Sequence, residues 1–135
     1  MAITYYSANR VLDKNFGGTA YSEPATYYFG LSTTTIQIDG TGATEPSGGA
    51  YARVAFTNNK TNWGTASSAS LTNSTAITFP ESSASWGTIT YVAMYDAASA
   101  GNIWWFDALS PARAVASTTT VLFAIGAVTV SMSNS

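Results

Sequence analysis

Two β-patterned runs, Trp86 to Tyr95 and Ile103 to Leu109, flank the small-residue turn DAASAGN, and this pairing constrains the fold more than any other part of the chain. The first run is rich in β-branched and aromatic residues, and the second carries the adjacent pair Trp104 and Trp105. Both compositions favour strands, and a short polar turn between two such runs reads as a hairpin. Side chains alternate across a strand, so simple parity places Trp104 and Phe106 on one face and Ile103, Trp105 and Leu109 on the other. Neither face is suited to water.

Further strand patterns recur along the chain. In ATYYFGLSTT, Tyr27, Phe29 and Leu31 share a face, and Gly30 among them marks a bulge or a close backbone approach. In AYARVAFTNN, Val54 and Phe56 are the inward pair, leaving Arg53 outward or paired with Glu45 or Glu81. TAITFP is another strand, and SPARAVAS reads as a short edge strand. The closing run TTTVLFAIGAVTVSMS puts Leu122, Ala124, Val128, Val130 and Met132 on one parity with Gly126 as a bulge, the pattern of a central strand. Seven or eight strands separated by turn signals predict an all-β fold: an antiparallel β-sandwich, jelly-roll-like, with one short N-terminal helix. A length of 135 residues suits a single domain over 1–135.

The helix is predicted over residues 7–16. Ala8, Val11, Leu12 and Phe16 share a face, Ser7 is placed to cap the first turn, and the pair Gly17 and Gly18 supplies a left-handed stop. A helix this short needs a docking surface, either the end of its own sandwich, which is the expectation here, or a neighbouring subunit. Two segments, 33–50 and 58–74, are rich in Gly, Ser, Thr and Asn and read as long loops. Trp63 and Leu71 in the second are expected to fold back onto the body, although Trp63, in polar surroundings, is the tryptophan most expected at the surface. Trp86 and Trp105 are expected in the core or a buried interface.

Charged residues make up 9% of the chain, against about a quarter in an average soluble domain. A surface so poor in charge suggests glycan-like contacts or cover by neighbouring subunits, and the latter is the expectation. The five basic residues, Arg10, Lys14, Arg53, Lys60 and Arg113, are dispersed, which argues against nucleic acid as a partner. No apolar run approaches the roughly 20 residues of a membrane span, and MAITYYSANR lacks signal-peptide character, so synthesis in a cytoplasm is expected.

Chemistry is sparsely represented. The chain has no histidine and no cysteine, so the commonest general base, thiolate nucleophile and metal ligands are missing. No catalytic, cofactor-binding or metal-binding residues are expected. Of the acids Asp13, Glu23, Asp39, Glu45, Glu81, Asp96 and Asp107, only Asp96 and Asp107, which flank one hairpin, suggest a glycosidase-type pair. The simpler reading is that Asp96 opens the turn and Asp107 is a solvated strand residue. The GTG of DGTGATEPSGG has no following helix to present to a phosphate. Asn59 and Asn73 lie in formal glycosylation sequons, which carry weight only in a secreted chain. The aromatic residues are therefore the functional candidates, as a sugar-stacking platform or a subunit interface.

The succession LDKNFGGTAYSEPATYYFGLSTT, TEPSGGAYARVAFTNN, ITFPESSASWGTITYVAMYDAASAGNIWWFDAL and FAIGAVTVSMS covers nearly the whole chain and resembles a family of small tailed-phage structural proteins, usually labelled tail-fibre-like or virion structural proteins. The resemblance implies a β-sandwich virion component with no catalytic residues to carry over. With no internal repeat, heptad or stalk in the chain, the expected role is a capsid decoration, or cement, protein on the outer surface of the head. Its expected partners are the major capsid protein and further copies of itself, with a trimer favoured. The alternative is a tail or fibre module that recognises a host-surface glycan, and a carboxylate-dependent glycan hydrolase is the weakest reading. Candidate interface residues are Val11, Leu12, Phe16, Trp63 and Trp104, with both long loops as contact segments.

Overall fold

The computed structural model describes residues 1–132 and is built around the hairpin expected from the sequence. In chain order its elements are β1 (Ala2–Ile3), α1 (Tyr5–Phe16), β2 (Thr26–Ser32), β3 (Val54–Thr57), β4 (Ser70–Thr72), β5 (Ile77–Thr78), β6 (Gly87–Tyr95), β7 (Ile103–Val115), β8 (Leu122–Phe123) and β9 (Thr129–Ser131). Five strands form an antiparallel sheet in the order β1-β7-β6-β2-β3, and two ribbons, β4-β9 and β5-β8, form the opposing layer. This is the all-β sandwich with one short helix. Instead of forming a separate edge strand, SPARAV continues β7, where Ala114 and Arg113 pair with Thr88 and Ile89.

The main core lies between the layers. Phe29 and Leu31 of β2, Val92 and Met94 of β6, and Phe56 of β3 meet Ile77, Phe79 and Val128 from the ribbon side. The pairs Leu31↔Val92 and Phe29↔Met94 keep these side chains on one face, as alternation requires. A smaller cluster on the opposite face of the sheet joins Ala93, Tyr95 and Ile103 to Ile36. Segment 33–50 is irregular, as expected, yet it is part of the fold. Ile36 is buried, and the Ser32 hydroxyl accepts the Thr44 amide at 3.0 Å, which folds the segment back over the sheet.

Simple parity is overturned in β7. Met94 pairs with Trp105 and Tyr95 with Ile103, so Trp104 is an extra residue at a bulge. The bulge moves Ile103 to the face of Phe106, whereas Trp105 and Leu109 face the main core. Trp104 is thereby buried among three tyrosines, with ring centroids 5.5 Å from Tyr6, 5.9 Å from Tyr21 and 6.1 Å from Tyr27.

The helix starts two residues earlier than predicted. Thr4, not Ser7, is the cap: its Oγ1 accepts the Ser7 amide at 3.3 Å and donates to the Ile103 carbonyl at 2.7 Å. That dual role fastens α1 to β7, and Tyr6 and Ser7 face inward instead of the predicted stripe. The helix thus docks on its own sheet, while Leu12 and Phe16 remain 53% and 86% exposed. The glycine stop is present, with Gly18 taking the left-handed conformation at φ 71°.

The C-terminal run is not a central strand. It divides into β8 and β9, which belong to different ribbons, and Gly126 at φ 79° lies in the turn between them. Leu122 and Met132 are consequently exposed. The cause is Asn73, whose buried amide accepts the Val128 amide at 2.9 Å and donates to the carbonyls of Thr75 and Ala124 at 2.9 and 3.0 Å. An amide that binds backbone on both sides of the turn competes successfully with strand continuation.

Candidate aromatic groove

Segment 58–74 is more ordered than its composition suggests, because it contains β4 and turns Trp63 inward. The Asn59 Oδ1 accepts the amides of Thr61 and Asn62 at 3.1 and 3.0 Å, and the Asn59 carbonyl accepts the Trp63 amide at 3.0 Å. This turn sets the indole against Phe56 at 5.2 Å and Phe29 at 6.4 Å, where Trp63 is 6% exposed. The expectation of an exposed Trp63 is therefore corrected. Its local sequence is polar, and its apolar partners come from strands far away in sequence.

Trp63 instead walls a groove of about 390 Å³, where the β4-β9 ribbon diverges from the five-stranded sheet. The walls include Trp105, Met94 and Tyr27 from the sheet and Leu71 and Val130 from the ribbon. Asn58, Asn59 and Lys60 line it as well. Leu71, Trp105 and Val130 are shared with a second hollow of about 210 Å³ that reaches Ala66 and Met132. The half-buried Trp105 indole thus stands between two apolar depressions.

The polar residues of the groove are held by backbone carbonyls. Asn58 donates its side-chain amide to the Pro24 carbonyl at 2.9 Å, and the Lys60 ammonium donates to the Gly64 carbonyl at 3.1 Å. These bonds leave Asn58 Oδ1 as an acceptor, with Asn59 Nδ2 and the remaining Lys60 protons as donors. Burial, with the nearby charges of Tyr21, Glu23 and Asp96, pushes the Tyr27 phenol up to about 12, so it stays protonated at neutral pH. Sequence reasoning missed Tyr27 and Trp105 as members of one site. The signal was the dipeptide Asn58-Asn59 with Lys60 just before Trp63, a polar turn abutting a large ring.

The remaining candidates are dispersed. Val11 is half-buried and Leu12 and Phe16 are at the surface, but Trp63 and Trp104 lie inside the fold. Asp96 opens the β6-β7 turn: its Oδ1 accepts the Asn102 amide at 2.8 Å, and its Oδ2 accepts from Asn102 Nδ2 and Trp104 Nε1, both at 3.1 Å. Burial raises its pKa, and these hydrogen bonds outweigh burial to leave it below the ordinary value. Asp107 pairs across the hairpin with Val92, four residues before Asp96, so a strand rise of about 3.3 Å per residue separates the two aspartates by about 13 Å. Its carboxylate is 3.8 Å from the N-terminal amine. The two acids are not brought together.

Among the described residues no group of three or more His, Cys, Asp or Glu side chains lies close enough to hold a metal, and no helix is long and apolar enough to cross a membrane. Asn59 of the first sequon is exposed, whereas Asn73 of the second is consumed by the core.

Fold and surface together define the class of protein: a β-sandwich whose best-ordered polar groups serve structure and whose distinctive surfaces are an aromatic-walled groove and an apolar helix face. Residues 2–131 match the family described as Podophage GP4 fiber I protein gp80, and the chain belongs to that family. It is accordingly a virion structural protein of the tailed-phage type. No curated protein matches the chain.

Proposed function

We propose that this protein is a fibre module of the virion that contacts the host surface. The observation that carries this reading is the groove bounded by Trp63 and Trp105, which joins large apolar rings to a rim of side-chain amides within a family described as a fibre protein. Aromatic rings offer contact area at low entropic cost, and a rim with both donors and acceptors gives orientation. Cover of the apolar helix face by further copies of the chain, with a trimer as the expected assembly, accounts for its low charge.

A second reading, decoration of the outer capsid surface through the major capsid protein, is favoured by a different observation. The described residues contain one helix of 12 residues, Tyr5–Phe16, and none of the repeated units that build a shaft. Separating purified virions into heads and tails and quantifying the chain in each fraction distinguishes the two. A few copies confined to the tail fraction support the fibre module. Hundreds of copies on heads replace it with decoration.

A further inference from the structure

The structure points to the Trp105 groove as a saccharide site, and we propose that it takes a short oligosaccharide with one pyranose ring against the Trp105 indole. This rests on the host-contact reading for the source of the sugar, but the site is argued from its own geometry. Three features distinguish it from a plain apolar hollow.

The first is the division of labour between its walls. Trp105, Leu71 and Val130 are apolar and partly exposed, and a pyranose presents an apolar C–H face to such a surface. The second is the hydrogen-bonding set. Vicinal hydroxyls act as donor and acceptor together, and Asn58 Oδ1 and Asn59 Nδ2 offer the complementary acceptor and donor from adjacent residues. The Tyr27 ring lines the same groove. The third is preorganisation. The Asn59 turn and the Asn58 and Lys60 bonds to backbone carbonyls already fix these side chains, so little ordering remains for the ligand to impose.

The groove also has suitable dimensions. Two hollows of about 390 and 210 Å³ that share Leu71, Trp105 and Val130 as walls suit an extended ligand of a few sugar units, with the Trp105 ring between the subsites. The two hollows lined by Leu109 and Ser110 do not match this chemistry, because their walls include no tryptophan and no side-chain amide.

The test uses the whole chain and oligosaccharide fragments of the surface polysaccharide from cells that the phage infects. Binding is followed through the four tryptophan indole N–H signals by NMR. The expected result is a saturable shift of the Trp105 signal with the Trp86 signal unmoved, abolished when the fragments are first treated with periodate to cleave their vicinal diols. Trp105→Ala is expected to weaken binding about tenfold. Because that change also touches the core, Lys60→Ala at the exposed rim provides a second variant, expected to weaken binding about threefold with an unchanged melting temperature. The proposal is overturned if the fragments leave Trp105 unmoved, if periodate-treated fragments bind equally well, or if the Trp105 signal moves only with protein concentration, which makes the groove a contact between copies. Binding by a chain found on heads leaves the groove assignment standing and removes the fibre reading. A tail-located chain without binding does the reverse.

Discussion

Arg53 grips Glu45 at two points, Nε to Oε1 at 2.9 Å and Nη2 to Oε2 at 2.7 Å, while its guanidinium carbon lies 3.4 Å from the centre of the Tyr95 ring. Its third nitrogen, Nη1, donates to the carbonyls of Ala97 and Ala100 at 2.7 and 2.8 Å. One side chain therefore ties segment 33–50 to the turn of the β6-β7 hairpin. The arrangement needs Gly30: a Cβ there would lie 2.8 Å from both Glu45 Oε1 and Tyr95 Cε2. The close approach read from Gly30 in the sequence is this contact.

Replacing Arg53 leaves Glu45 without its charge partner and two turn carbonyls without their donor. The Arg53 side chain is 5% exposed and that of Glu45 26%, so the cost lies below that of a fully buried pair. Arg53→Met is expected to lower stability by about 2–3 kcal/mol in urea unfolding. Hydrogen exchange should accelerate first at the hairpin turn and in segment 33–50, and later in the main core.

Acid should loosen the same contacts. Burial pushes the Glu45 carboxyl up, but hydrogen bonds from Arg53 and Tyr51 and the Arg53 charge outweigh it and hold the group below its ordinary 4.5. Asp96 is held low in a similar way. A carboxyl that titrates lower when folded takes up its proton first in the unfolded chain. The stability it contributes is thus complete above the unfolded pKa and is lost as pH falls through the folded one. Unfolding free energy should be flat near neutrality and decline below about pH 4.5. Glu45→Gln should make that decline shallower while lowering stability at pH 7, as measured by denaturant titrations at several pH values.

Sequence patterning captured the strands that obey strict alternation. Phe29 and Leu31 share a face, and Val54 and Phe56 point inward with them to the main core, because each side chain's direction is set by its own strand. It failed where a distant group decides. Trp104 is an extra residue at the turn end of β7, where Asp96 takes its indole N–H and Thr4 takes the carbonyls of residues 103 and 104. Trp63 is buried by Phe29 and Phe56, which its neighbours in sequence do not announce. The groove was illegible for the same reason: Tyr27, Lys60, Trp105 and Val130 come from four separate segments, and only the packing of the ribbon against the sheet brings them together.

Asn73 is the clearest case of one polar side chain deciding topology. Its amide makes three hydrogen bonds to the backbone, and its own carbonyl accepts the Gly126 amide at 2.9 Å. Asn73→Ala keeps the backbone bond but leaves the Val128 amide and the Thr75 carbonyl unpaired, and the Ala124 carbonyl with the Ala127 amide alone. With Asn73 1% exposed, the expected loss is about 2–4 kcal/mol by thermal or urea unfolding. Asn73→Asp, which sets a buried carboxylate oxygen against the Thr75 and Ala124 carbonyls, should be at least as destabilising as alanine at neutral pH.

The helix face offers the opposite experiment, in which a large change of character should leave the fold intact. Tyr5, Leu12 and Phe16 recur at spacings of seven and four, so they lie along one side of α1, and all three are exposed, as is Ile38, whose carbonyl accepts the Tyr5 amide at 2.9 Å. The opposite side of α1 is already engaged, through Thr4 and Tyr6, with β7. An exposed apolar stripe contributes little to the isolated chain, and the proposed assembly of copies through it would remove its rings from water at about 25 cal/mol per Å². Leu12→Glu with Phe16→Glu is therefore expected to change the melting temperature of the dissociated chain by no more than a few degrees, while converting the assembly to monomers. Light scattering coupled to size exclusion reads the second effect. If the doubly substituted chain keeps its oligomeric mass, the contact between copies lies elsewhere, and if the wild type is itself monomeric at high concentration, the stripe faces a different virion protein.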